Sequence, residues 1–139
     1  MIKFRFHVAV ILTAICCVGL PARISAAAEL VMLERPGCSW CARWNAEIAP
    51  AYPHTAEGRL APLRRVDVTG PWPSDLRGIA RDPYTPTFIL VENGMEIARL
   101  RGYPGNHFFW PLLGEMLAKL PAAESSLQRE EAFIKIKKF

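Results

Sequence analysis

Short apolar blocks, separated by turn-forming residues, set out the elements of this chain. Residues 30–34 (Leu-Val-Met-Leu-Glu) form a compact run of strand length. Beyond Arg35-Pro36-Gly37, the residues Trp40, Trp44, Ile48 and Ala51 recur near helical spacing, which predicts a helix over 38–49. Pro50 and Pro53 end or kink it, and 54–59 reads as a loop with Gly58 free to take a positive φ. A second strand is predicted over 60–68, where Val66 and Val68 alternate with Arg65 and Asp67. Gly70-Pro71-Trp72-Pro73 breaks the chain, and Ser74 or Asp75 can cap a short helix running to Ala80. Arg81-Asp82-Pro83-Tyr84 is a turn. It leads through Thr85-Pro86-Thr87 into the apolar run 88–91, joined by Glu92-Asn93-Gly94 to 95–100 as a hairpin. A last helix follows Gly102 and Gly105: Phe108, Leu112, Met116 and Leu120 fall four apart, Leu113 and Leu117 widen the apolar face, and Pro111 leaves its start open.

The element order is therefore β-α-β-α-β-β-α. A strand–helix–strand unit followed by a hairpin and a covering helix suits an α/β fold, a four-stranded mixed sheet flanked by helices, over residues 29–121. Residues 1–28 read as a secretory signal peptide. Lys3 and Arg5 are basic, 8–20 is an apolar stretch of 13 residues, and Ser25-Ala26-Ala27-Ala28 offers small-residue cleavage sites. That stretch is short of the roughly 20 residues of a spanning helix, so an uncleaved anchor is the lesser alternative. Removing it takes Lys3, Arg5 and Arg23 away, so 17 basic residues fall to 14 against 13 acidic, about +1. Such a balance gives no reason to expect nucleic-acid binding. The tail 122–139 has a Ser125-x-x-Gln128 cap signal and a lysine-bearing end, open to packing on the domain, fraying or a membrane-surface contact.

Cysteine usage changes the picture most. Cys16 and Cys17 leave with the signal, so the secreted domain keeps only Cys38 and Cys41. Two residues between them let the first helical turn bring both sulfurs together, and the helix start favours a thiolate at Cys38. The pair predicts a thiol–disulfide oxidoreductase in which Cys38 attacks a partner disulfide and Cys41 resolves the mixed disulfide. A fixed disulfide and half a zinc site are the alternatives. A closed zinc site needs four ligands, and His54 and His107 lack suitable spacing, so no metal and no cofactor beyond the dithiol is expected. Ala42 stands where a haem attachment site needs histidine. Trp40 is read either as an apolar docking surface on the rim or as a core residue, and Ser39 as a donor to the thiolate or a solvated serine. Tyr103 lies in a Gly102-Tyr103-Pro104-Gly105 loop open to partner contact or turn packing.

With Cys38-Ser39-Trp40-Cys41 at a strand–helix junction and Thr85-Pro86 some 45 residues later, the chain resembles the thioredoxin-fold proteins of the periplasmic group over about residues 30–120. The nearest subgroup is the SoxS type, small secreted thioredoxins of bacterial sulfur-oxidation systems. The resemblance implies that Pro86 is cis beside the sulfurs and that Thr85 offers backbone bonds to an extended substrate segment; an ordinary strand-start proline is the alternative. It also implies a periplasmic monomer that reduces disulfides of partner proteins and draws electrons from a membrane thiol donor. A disulfide oxidase or isomerase, or a non-catalytic adaptor binding a partner through Trp40 and the proline groove, are the other readings. The chain departs from the family in two ways. Ordinary thioredoxins carry Trp-Cys-Gly-Pro-Cys, and they place a buried acid six residues before the first cysteine. Met32 stands there, with Glu34 two residues later on the same strand parity.

Overall fold

The computed structural model describes residues 28–121. All but the last residue of the signal peptide read over 1–28, and the tail 122–139, lie outside the described residues. The first strand, β1 (Glu29–Glu34), is central, and Leu30, Val31, Met32 and Leu33 are all fully buried. A strand covered on both faces must be apolar at successive positions, which is why this run does not alternate. It pairs in parallel with β2 (Leu63–Asp67) and antiparallel with β3 (Thr87–Glu92), and β3 pairs with β4 (Met95–Arg101). The strand order is β2-β1-β3-β4, a four-stranded mixed sheet.

Between β1 and β2 the chain forms α1 (Ser39–Glu47), a 3₁₀ turn at Tyr52–His54 and α2 (Ala56–Leu60); α3 (Asn106–Leu117) follows β4. On one face of the sheet, Leu30, Met32, Phe88 and Leu90 meet Cys41 and Trp44 of α1, Ile48 at its C-cap, and Phe109 and Leu113 of α3. On the other, Val31, Leu33, Val66, Ile89 and Val91 are covered by Leu76 and Ile79.

Three local readings are corrected. The short helix expected from Ser74 to Ala80 is a single 3₁₀ turn, Ser74–Leu76. Pro71 and Pro73 precede it and Gly78 interrupts it, and Leu76 and Ile79, three apart, still dock on the sheet. The Trp72 Nε1 group holds this segment by donating to the Leu76 carbonyl at 2.8 Å. The loop expected over 54–59 contains α2, capped by Thr55, whose Oγ1 accepts from the Gly58 N–H at 3.0 Å. Gly58 serves close approach rather than a positive φ, since a Cβ there would sit 1.8 Å from the Tyr52 carbonyl oxygen. Because α2 runs to Leu60 and Pro62 follows, β2 begins only at Leu63. The hairpin has the expected chemistry: Asn93 and Gly94 take φ of 53° and 74°, the two positive values that match strand twist in a two-residue turn.

Candidate active site

At the end of β1 the chain turns through Arg35-Pro36-Gly37. Gly37 adopts φ 73°, where a side chain is disfavoured, and Cys38 becomes the N-cap of α1. The Cys38 sulfur accepts the backbone N–H of Cys41 at 3.1 Å, so the helix start itself supplies a hydrogen-bond donor to this sulfur. Cys38 and Cys41 are joined in a disulfide with Cα atoms 5.2 Å apart. Their environments differ. Cys38 is partly exposed, whereas Cys41, one turn in, is buried beside Trp44 in the core.

Trp40 projects from the same turn and is 51% exposed, with the Arg43 guanidinium 5.6 Å from its ring centroid. Arg43 pairs with Glu47 at 2.8 Å, and Glu47 also accepts the Tyr103 hydroxyl at 2.6 Å. The hydrogen bonds from Arg43 and Tyr103 hold the Glu47 carboxyl below its ordinary pKa. Burial, then the Glu47 hydrogen bond, pushes the Tyr103 phenol up to about 12. The Gly102–Gly105 loop is thereby tied to the helix that carries the cysteines. Ser39 is exposed.

Thr85 and Pro86 come to the same end of the sheet. Leu33 is the Cα partner of Thr87, so Pro86 stands level with the end of β1, where the chain departs towards Cys38. The Thr85–Pro86 bond is cis, Pro86 is buried, Thr85 is half-buried, and the Gly102 N–H donates to the Pro86 carbonyl at 2.7 Å. The preceding turn is anchored by Asp82. This carboxylate is buried, accepts the Tyr84 N–H at 3.1 Å, and pairs with Arg99 at 3.1 Å and Arg101 at 2.5 Å on β4.

A groove of about 360 Å³ borders the disulfide, lined among others by Glu34, Arg35, Cys38, Ser39, Cys41 and Asn45. Met32, at the position of the family's buried acid, is fully enclosed in the apolar core. Glu34 faces the α1 side at the strand end, where it pairs with Arg65 at 2.7 Å, and Arg65 also donates to Asn45 Oδ1 at 2.5 Å. Sequence reasoning missed Arg65, Asn45 and Asp82. Arg65 was legible only as the polar half of an alternating strand, and nothing local marked the other two. His54 and His107 are both exposed, and among the described residues no group of three His, Cys, Asp or Glu could hold a metal ion.

No family model and no curated protein matches the chain. Among solved structures it is similar to the reduced periplasmic thioredoxin SoxS of Paracoccus pantotrophus, with 47% identity and a TM-score of 0.60 over 66% of this chain and 97% of that one. A thioredoxin of Malassezia sympodialis (Mala s 13) matches at 19% identity and a TM-score of 0.49, over 66% of this chain and 79% of that one. Thioredoxin-2 of the malaria parasite matches at 19% and 0.49, over 66% and 84%.

Proposed function

This chain belongs to the thioredoxin family, with the periplasmic thioredoxin SoxS among its relatives, and from that premise we propose that it reduces disulfides of partner proteins in the periplasm. It is a thiol–disulfide oxidoreductase. The observation that carries the reading is the Cys38–Cys41 disulfide at the start of α1, with the outer sulfur accessible and the inner one buried.

In the reduced protein Cys38 is the nucleophile. Its thiolate attacks one sulfur of the partner disulfide and expels the other as a thiolate, leaving a mixed disulfide. Cys41 then attacks the Cys38 sulfur, closes the Cys38–Cys41 bond and releases the second partner sulfur. Two electrons pass from the dithiol to the partner, so no cofactor is invoked. Both sulfurs belong to one chain, so a monomer suffices. The partner segment docks against the exposed Trp40 ring and runs beside Thr85 and Pro86, whose location at the same sheet end supports this role.

The periplasm is oxidising, so a reductase there must be recharged, and a membrane thiol donor is the proposed source. The signal-like segment 1–28, expected to be removed, and the periplasmic location of the SoxS relative support this compartment. Cys38→Ser tests the proposal: turnover of a disulfide-bonded protein substrate should vanish. A variant that kept its partner affinity and its biological effect would instead identify an adaptor. Cys41→Ser should accumulate mixed disulfides, from which the partners can be identified by mass spectrometry.

A further inference from the structure

Resolution of the mixed disulfide requires Cys41 as a thiolate, yet this sulfur sits in apolar surroundings that favour the protonated thiol. A proton acceptor must therefore reach it. Met32 of β1 and Trp44 of α1, which share its core, offer none. The groove that borders Cys41 is lined by one carboxylate, Glu34. Asp67, the Cα partner of Glu34 on β2, does not line it, and its Oδ1 holds the N–H and hydroxyl of Thr69 at 2.8 and 2.7 Å. The charged groups that face Glu34 are Arg65 from β2 and Arg35 on the groove rim, and neither can accept a proton.

We propose that Glu34 is the general base for Cys41, acting through the groove. Arg65 fixes its carboxylate by the 2.7 Å contact to Oε2 and ties it across the sheet edge to Asn45, one helical turn beyond Cys41. Among the described residues Oε1 has no hydrogen-bond partner, and a groove of about 360 Å³ has room for bridging water. In the step, Cys41 gives its proton to the Glu34 carboxylate, directly or through one water. The thiolate forms the Cys38–Cys41 bond, the Cys38–partner bond breaks, and its electron pair leaves on the partner sulfur. Glu34 then returns the proton to that sulfur or to solvent. The assignment rests on the roles of Cys38 and Cys41 proposed above.

The reduced protein with dithiobis(nitrobenzoate) separates the two steps. Attack by Cys38 releases one coloured thiolate and attack by Cys41 releases the second. Glu34→Gln should slow the second release at least tenfold near neutral pH, the low end of general-base effects being about 10²-fold, and leave the first release unchanged. The deficit should shrink above about pH 9, where a free thiol ionises unaided, and Glu34→Asp should recover part of the rate. A second phase at the wild-type rate would overturn the proposal. So would equal slowing of both phases, or a deficit constant with pH, since either reports a structural role. If wild-type protein releases no thiolate, or Cys38→Ser releases its one thiolate through Cys41 as fast as wild type releases its first, it is the underlying redox reading that fails.

Discussion

Reduction leaves Cys38 at the first turn of α1, beside the backbone N–H of Cys41, and leaves Cys41 among the aromatic side chains of the core. A donor at the helix start stabilises a thiolate, and apolar enclosure opposes one. Iodoacetamide should therefore alkylate Cys38 at least about tenfold faster than Cys41 in the reduced protein, as peptide mass spectrometry can read. Equal rates would reject the assignment of nucleophile and resolving cysteine. At this scale the sulfurs were legible because their spacing and the flanking strand and helix patterns are local. The polar wall beside them was not. Arg65 meets Glu34 only because the parallel register sets Arg65 against Met32 and Asp67 against Glu34, and Asn45 joins only because α1 docks over that edge. Trp40 illustrates a different limit: helical phase left rim and core open, and docking of α1 through Cys41, Trp44 and Ile48 turned it outward.

Among the elements, those with a strong period or a defined turn were readable: β1, α1, the Asn-Gly hairpin and the presence of α3, although its buried face runs through Phe109, Leu113, Met116 and Leu117 and the Phe108 read as part of it is exposed. The crossover after α1 was not, because its shape depends on contacts within it. The Thr55 hydroxyl bridges the Tyr52 carbonyl and the Gly58 N–H, and the Tyr52 hydroxyl donates to the Ala61 carbonyl at 2.7 Å. Gly58 is pressed so closely on the backbone of Tyr52 that an added methyl would overlap its carbonyl oxygen at 1.8 Å and its carbonyl carbon at 2.7 Å. Both obstacles are backbone atoms and cannot swing aside. Gly58→Ala should therefore destabilise the protein by about 1–3 kcal/mol, despite the better helix propensity of alanine. Gly78→Ala is the control, since nothing lies within 4 Å of its added Cβ, and should fall within about 0.5 kcal/mol of wild type. Denaturant midpoints of the two variants decide it. Equal midpoints would mean that the crossover shifts to accept the methyl.

Across the whole molecule, the sheet is built from segments far apart in sequence, and the turn that delivers Pro86 is held to the far edge by charge. Burial opposes ionisation of Asp82, but the hydrogen bonds from Arg101, the Tyr84 N–H and Arg99 outweigh it, so its pKa lies below the ordinary carboxylate value. A carboxylate with a depressed folded pKa contributes stability in full above its unfolded pKa of about 3.9 and loses it as pH falls through the folded value. Arg99 also pairs with Glu96 and donates to the Ala80 carbonyl, so the clamp joins β4 to the chain just before the turn. Asp82→Asn keeps the shape and the Tyr84 contact but removes the charge. It should lower stability at pH 7 by about 1.5–3 kcal/mol, the usual range for hydrogen bonds to a charged group. The deficit should narrow below about pH 4, where the wild-type carboxyl also gains a proton. Denaturant titrations from pH 7 down to about pH 3 read both effects. A deficit that stayed the same at every pH would show that Asp82 acts through packing, and no deficit at pH 7 would show that the turn is held by its neutral hydrogen bonds, such as that from the Thr87 hydroxyl to the Tyr84 carbonyl, without the charge.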